Sequence, residues 1–212
     1  MLLYLVRHGE TDWNLERRIQ GSTDISLNAT GREQAAATGA LLARRTWDAV
    51  IASPLSRAFE TASIIAAAVG LPAPAADPAL VERNYGAAEG LTDRQIDEQY
   101  PADAPVPGRE TRDAVVLRVL PALMRIAETH PGQSVIVVSH GGVIRSVLNA
   151  IDPNNQHGVI SNGSVHSIRH DEGSFRLIAF DDPIDDESLA CATADLDEQN
   201  GLERREAAGR EA

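Results

Sequence analysis

One cysteine in 212 residues, Cys191, leaves no intrachain disulfide to form and argues against a cysteine-based metal site. Aromatic residues make up only 4% of the chain, too few to supply stacking platforms for nucleic-acid bases. Basic residues number 19 against 31 acids, and the formal charge of −12 argues against generic affinity for nucleic acid or anionic membrane. No apolar run approaches the ~20 residues a membrane helix needs. The N-terminus lacks a basic segment followed by a long apolar one. Glycine-rich phosphate loops of the P-loop or dinucleotide kind are missing as well. The expectation these absences leave is a cytoplasmic globular chain.

A hydrophobic fraction of 43% is enough for a core, and the length suits one α/β domain with a tail. The charge is uneven. Residues 181–212 hold eleven acids against three arginines, so this stretch carries −8 and the body only −4. The expected division is a domain over residues 1–182 and an acidic, disordered tail over 183–212. An anionic ligand would then be drawn by a local arginine cluster, because the field of the whole chain opposes it.

Leu2–Val6, Asp48–Ala52 and Val135–Val138 are short apolar runs of the kind that form central strands covered on both faces. Helices are expected over Thr30–Arg45 with Thr30 as N-cap, from Pro54 to Val69, over Thr92–Tyr100, over Arg109–Thr129 with a kink or one weakened turn at Pro121, and over Gly141–Ile151. Ser164–His170 and Ser174–Phe180 read as a hairpin turning at Asp171-Glu172-Gly173. Alternating strands and helices predict an α/β fold: a three-layer sandwich with a mostly parallel central sheet, an antiparallel edge hairpin and helices on both faces. The proline-rich Ala102–Glu110 segment is expected to be a lid or rim loop.

The first strand ends in Arg7-His8-Gly9, and in open α/β sheets the ligand crevice lies just outside such strand tips. A neutral imidazole is a nucleophile and a guanidinium is a fork shaped for phosphate oxygens, so the pair suggests phosphoryl transfer through a phosphohistidine. Gly9 is expected to let backbone approach a ligand. Thr11 or Asp12 would cap a helix whose N-terminus favours an anion. Val135 to Gly142, ending Ser139-His140-Gly141-Gly142, repeats the design. Ser53-Pro54-Leu55-Ser56-Arg57-Ala58 puts an arginine at a second helix start, and Glu82 supplies a carboxyl group.

These segments, with Gln20-Gly21 between them, occur in the order seen in the histidine phosphatase superfamily, the phosphoglycerate mutase-like proteins, which the chain resembles from Leu2 to about Phe180. The details look most like the small phosphatase branch. The resemblance implies a metal-independent phosphomonoesterase in which His8 attacks phosphorus, Arg7 and Arg57 grip the non-bridging oxygens, and His140 donates to the same phosphate. Glu82 would protonate the leaving alkoxide and then deprotonate water. Its competitor is Glu89. Asn14, Gln20, Gly21 and Gly141 would complete the phosphate cradle, and Tyr85 would line the substrate pocket. Glu10 reads as a loop or cap residue, and His130, His157, His166 and His170 as surface or strand residues.

Three other readings compete with this one. A mutase would use the same phosphohistidine but needs extra chain over the pocket, and the interval from Glu82 to His140 is short. Zinc on His8, His140 and Glu82 would place a dication beside two arginines. A pure binding module is disfavoured because Arg7, His8 and His140 are all present. The expected partner is a small phosphorylated substrate, with no cofactor, metal, nucleic acid or membrane. Whether the chain forms a homodimer, and which phosphomonoester it takes, the sequence leaves open.

Overall fold

The computed structural model describes residues 1–101, 104–155, 157–182 and 184. The chain runs β1 (Leu2–Arg7), α1 (Asp12–Leu15), α2 (Ala29–Leu42), β2 (Ala49–Ala52), α3 (Ser56–Ala68), β3 (Ala75–Ala76), α4 (Asp93–Gln99), α5 (Arg112–Thr129), β4 (Ser134–Ser139), α6 (Gly141–Ile151), β5 (Val165–Asp171) and β6 (Ser174–Ala179). The sheet order is β3-β2-β4-β1-β5-β6. β1 to β4 pair in parallel, while β5 and β6 add the antiparallel edge. The expected sandwich is therefore present.

Alternation along the central strands divides the core into two layers, as period-2 side-chain direction requires. Leu3, Leu5, Val135 and Val137 join Val115, Val119 and Leu123 of α5 and Val143, Ile144 and Val147 of α6. Tyr4, Val6, Ile136 and Val138 join Leu42 of α2 and Ala58, Ala62 and Ile65 of α3 on the other face. Full burial of each large aliphatic side chain stabilises the fold by roughly 1.5–3 kcal/mol. Those layers fix the strand tips above which the site is built.

Several local boundaries differ from the sequence expectation. α2 is capped by Asn28, whose side chain accepts from Gly31 N at 2.8 Å, and Thr30 falls inside the first turn. Asn28 prevails because its own side-chain amide donates to Glu10 Oε1, which anchors it in place. α3 starts at Ser56, two residues beyond Pro54: Leu55 is extended, and Asp24 Oδ1 accepts from both the backbone N and the hydroxyl of Ser56. α4 has the expected Thr92 cap, with Gln95 closing a capping box. α5 begins at Thr111 as N-cap and continues through Pro121. The ring removes a donor to the carbonyl of Leu117, and Leu117 is 76% exposed, so water can satisfy that oxygen. The two-residue strand β3, made of alanines, carried no strand signal.

None of the described residues of the Ala102–Glu110 segment, expected as a lid or rim loop, lines the pocket at the strand tips. Residues 102 and 103 lie outside the described set. Val106 joins Ile19, Tyr85, Ala88 and Ile96 in a small apolar cluster, Pro107 O accepts from Ala87 N, and Glu110 N donates to Asn84 O. Burial of Val106 and these ladder-like bonds pull the segment against residues 84–88 instead. The tail expected from residue 183 also lies outside the described residues, apart from Ile184. Ile184 is buried in the same layer as Tyr4 and Trp47, and its carbonyl accepts from Arg45.

Candidate active site

β1 and β4 are adjacent, parallel and in register, with Arg7 opposite Ser139. The residue after each strand is therefore delivered to the same place. His8 N donates to Ser139 O at 3.0 Å, and the rings of His8 and His140 lie 5.1 Å apart, tilted by 61°. Two histidines 132 positions apart are brought together by one strand pairing.

The geometry fixes the tautomer of His8. Its Nδ1 lies 2.7 Å from the carbonyl of Gly9, which only accepts, so Nδ1 carries the proton. Nε2 keeps its lone pair and accepts from Arg57 Nε at 3.3 Å. Burial, then the charges of Arg57 and Arg7, hold the His8 pKa well below the ordinary histidine value. The ring is thus neutral, with its nucleophilic nitrogen turned toward a guanidinium. Asn162 fixes the backbone here by donating to His8 O at 2.7 Å.

Arg57 is fully buried at the start of α3 and also donates to Thr23 O at 2.9 Å and Gly21 O at 2.8 Å. Burial lowers its pKa to about 10, against the opposing pull of Glu82 and Asp24, so it stays charged at neutral pH. Arg7 is anchored by a 2.6 Å bond to Ile160 O. His140 is entirely buried beside His8. Ser53 Oγ accepts from Leu55 N and lies 2.8 Å from His140 Nε2, to which its hydroxyl proton can be directed. In that arrangement Nδ1 bears the ring's own proton, and it is buried with no hydrogen-bond partner among the described residues. Burial, with Arg57 next, keeps this ring neutral too.

The two candidate carboxylates have different surroundings. Glu82 lies in the pocket wall, its Oε2 accepting from Gly142 N at 3.0 Å and its Oε1 from Val143 N at 3.1 Å and Arg83 N at 2.7 Å. It thereby caps α6, whose N-cap residue His140 makes no side-chain cap of its own. Glu89 instead gathers the backbone N–H groups of Ser22, Thr23 and Tyr85 and the hydroxyls of Ser22 and Thr23. Burial would raise its pKa, but these donors outweigh it and the net direction is down. Glu89 organises the 20–24 loop and does not line the pocket.

That pocket encloses about 80 Å³ and is lined by Arg7, His8, Asn14, Arg18, Ile19, Gln20, Gly21, Arg57, Glu82, Tyr85, Gly141, Gly142, Arg145 and Ile160. The volume is well under the ~300–1,000 Å³ of drug-sized ligand sites, which suits a small head group. Asn14 sits on the one-turn helix α1, where its Oδ1 accepts from Thr11 N and Oγ1, leaving the amide NH₂ to face a ligand. Gln20 is 8% exposed, and its Oε1 has no partner among the described residues. Tyr85 is buried beneath Arg83, whose guanidinium lies 5.3 Å from the ring centre.

One expectation about the first loop is corrected and another is met. Gly9 does not make room for a ligand; a side chain there would meet Gly31 O at 2.2 Å, so its role is the close crossing of two backbone segments. Thr11 caps α1 as expected, its hydroxyl accepting from Asn14 N at 3.2 Å while Asn14 Oδ1 accepts from Thr11 N at 3.1 Å.

Arg18, Ile19, Gly142, Arg145 and Ile160 also line the pocket, though sequence reasoning passed over them. Arg145 had a visible signal: it is the single charge in the buried stretch from Gly142 to Leu148. It donates to the carbonyls of His157 and Gly158 at 2.8 and 2.6 Å. With Arg7, Arg18 and Arg57 it gives the pocket four cations against one carboxylate, the local reversal of charge that the −12 chain required. A zinc site is not assembled by His8, His140 and Glu82, whose polar atoms turn to Gly9, Arg57, Ser53 and the start of α6. No three histidine, cysteine or acidic side chains among the described residues form a metal-binding group. Nor is any helix among them long and apolar enough to cross a membrane.

Residues 3–183 match the family model of the histidine phosphatase superfamily (branch 1). The chain is 39% identical over 176 residues to an uncharacterized phosphatase, PhoE, of Bacillus subtilis, a match spanning 82% of this chain and 90% of that one. It is 37% identical over 178 residues to a metal-independent phosphoserine phosphatase of Arabidopsis thaliana, over 78% and 75% of the two chains. Among solved structures, a mycobacterial glucosyl-3-phosphoglycerate phosphatase complexed with VO3 superposes with a TM-score of 0.78 at 29% identity. That match covers 85% of this chain and 98% of the other. The chain accordingly belongs to the histidine phosphatase superfamily, branch 1, and is an enzyme of its phosphatase type.

Proposed function

We propose that the protein hydrolyses a small phosphorylated metabolite through a phosphohistidine on His8, without a metal. The observation that carries this reading is the fixed tautomer of His8, which turns the Nε2 lone pair into a pocket walled by Arg7, Arg57 and Glu82. In the first step Nε2 attacks phosphorus, the bond from phosphorus to the ester oxygen breaks, and protonated Glu82 gives its proton to the leaving alkoxide. In the second, water attacks the phosphorus of the phosphohistidine, Glu82 takes the water proton, and the P–N bond breaks to return neutral His8 and release phosphate. Arg7 and Arg57 balance the charge on the non-bridging oxygens, and His140 Nδ1–H is the further donor.

Arg18 and Arg145 favour a substrate with a second anionic group. Phosphoserine and glucosyl-3-phosphoglycerate, the compounds named for two of the relatives, each carry a carboxylate beside the phosphate. The test is mass spectrometry of acid-labile, base-stable phosphate on the protein during turnover of an aryl phosphate, with and without chelator. Label that appears in the wild type, persists with chelator and is lost in His8→Ala is the expected result. Turnover abolished by chelator, with no label, would overturn the mechanism.

A further inference from the structure

Glu82 belongs to no helix or strand, yet its chemistry demands a fixed position. The structure assigns that task to a clamp behind the pocket: we propose that Arg118 and Glu110 are positioning residues that hold the Glu82 segment at the correct distance for proton transfer. The inference rests on the mechanism proposed above, in which Glu82 is the proton carrier.

Arg118, on α5, lies under the whole segment. Its NH1 donates to Ala79 O at 2.6 Å and its NH2 to Glu82 O at 3.2 Å. The same guanidinium meets Glu110 in a two-point pair, Nε to Oε1 at 2.8 Å and NH2 to Oε2 at 3.1 Å. Glu110 then grips the other end: its Oε2 accepts from Asn84 N at 3.1 Å, its carbonyl from Arg83 Nε at 2.7 Å, and its backbone N donates to Asn84 O at 2.7 Å. Every residue from Glu82 to Asn84 is thus tied to one or other member of the pair. The two side chains keep 27% and 19% of their exposure, so solvent screening limits the pair's contribution to stability. Its geometry is another matter, because a planar fork against a carboxylate sets distance and angle together. Burial would raise the Glu110 pKa, but the hydrogen bonds from Arg118 and Asn84 N and the charges of Arg118 and Arg83 together outweigh it, so Glu110 stays ionised. Neither residue lines the pocket, so neither touches the reacting atoms.

A displaced proton donor leaves a distinctive mark. Esters with a poor leaving group need the proton, whereas 2,4-dinitrophenyl phosphate departs without it. kcat/KM reports the steps through loss of the leaving group, so comparing an alkyl phosphate with the dinitrophenyl ester isolates the acid. Arg118→Gln and Glu110→Gln should each lower kcat/KM for the alkyl ester by about tenfold or more. The dinitrophenyl ester should fall less than about threefold, because it leaves without the proton whose complete loss would cost roughly 10²–10⁴-fold. Competitive inhibition by inorganic phosphate, set by Arg7 and Arg57, should be unchanged and serves as the check on folding. Arg118→Lys, which keeps the charge but not the fork, should recover only part of the loss. Glu82→Gln is the reference: if it shows no leaving-group dependence, the mechanism itself fails. If it does while both clamp variants lose activity equally on the two esters, or not at all, the clamp proposal is overturned and the mechanism survives.

Discussion

Arg57 Nε donates to His8 Nε2 at 3.3 Å, while the other imidazole nitrogen is held by Gly9 O at 2.7 Å. The cation positioned to grip a phosphate therefore also orients the nitrogen that would attack it, and its charge helps to keep that nitrogen unprotonated. Arg57→Gln removes both effects. Loss of a charged donor to the transferring group predicts a fall in kcat/KM of roughly 10²–10³. The His8 pKa rises when the charge is removed, so the acid limb of kcat/KM moves to higher pH in the variant. Burial, the larger cause of the depression, remains and keeps the shift modest. A pH–rate series on the two proteins checks both points, and an unmoved or downward-shifted limb would remove Arg57 from this role.

Gly21 and Glu89 form a second dependent pair. Gly21 has φ +56°, and an added side chain would meet Glu89 Oε1 at 2.1 Å. Gly21→Ala must therefore strain the backbone and push aside a carboxylate that accepts five donors from residues 22, 23 and 85. Each charge-assisted bond is worth about 1.5–3 kcal/mol before solvent exposure reduces it. Gly21 O also accepts from Arg57, so the disturbance reaches the pocket. Gly21→Ala should destabilise by about 2 kcal/mol or more and lower kcat. The cost should shrink in a Glu89→Ala background, where the obstacle is gone. A double-mutant cycle read by urea melts measures that coupling, and strict additivity would refute the argument.

The parts legible in the sequence were those set by local pattern. β1, β4 and α6 announce themselves because an apolar run must end in polar residues and glycine where a strand tip meets a site. The pairing of His8 with His140 followed once both tips were placed in one sheet. What stayed hidden depends on distant neighbours. A glycine beside a catalytic histidine looks like room for a ligand, and only the crossing at Gly31 gives its actual purpose. Composition marks Ala102–Glu110 as a loop, but the choice between covering the site and packing behind residues 84–88 is made by burial of Val106. Glu82 and Glu89 are both acids near Tyr85, and only their hydrogen-bond partners separate a pocket wall from a loop organiser. Arg145 was the one readable feature passed over, since a charge inside an apolar helix face demands a buried partner or a ligand.

Acid stability follows from three histidines that stay neutral in the fold. His8 and His140 lie well below the ordinary value, chiefly through burial, and burial aided by Arg145 and His157 brings His166 to about 3. In the unfolded chain each titrates near 6.5. Above that pH neither state binds the protons and stability is full. As pH falls below about 6.5 the unfolded chain takes up protons that the native state refuses. Stability then drops by up to roughly 1.4 kcal/mol per pH unit for each histidine. The loss should begin well before Glu89 and Glu110, whose lowered values forfeit stability only below the ordinary carboxylate range near 4.5. His166 sits on β5, outside the pocket, with its nitrogens bound to Ser164 Oγ and Asp181 N. His166→Asn should therefore reduce the slope of stability against pH between about 6.5 and 5 by a third, whatever it does to stability at pH 8. Urea melts of the two proteins across pH 8 to 5 give both slopes. A wild type whose stability is flat down to pH 5 would show that these histidines are protonated in the fold, and with it that His8 is not held as the free nucleophile.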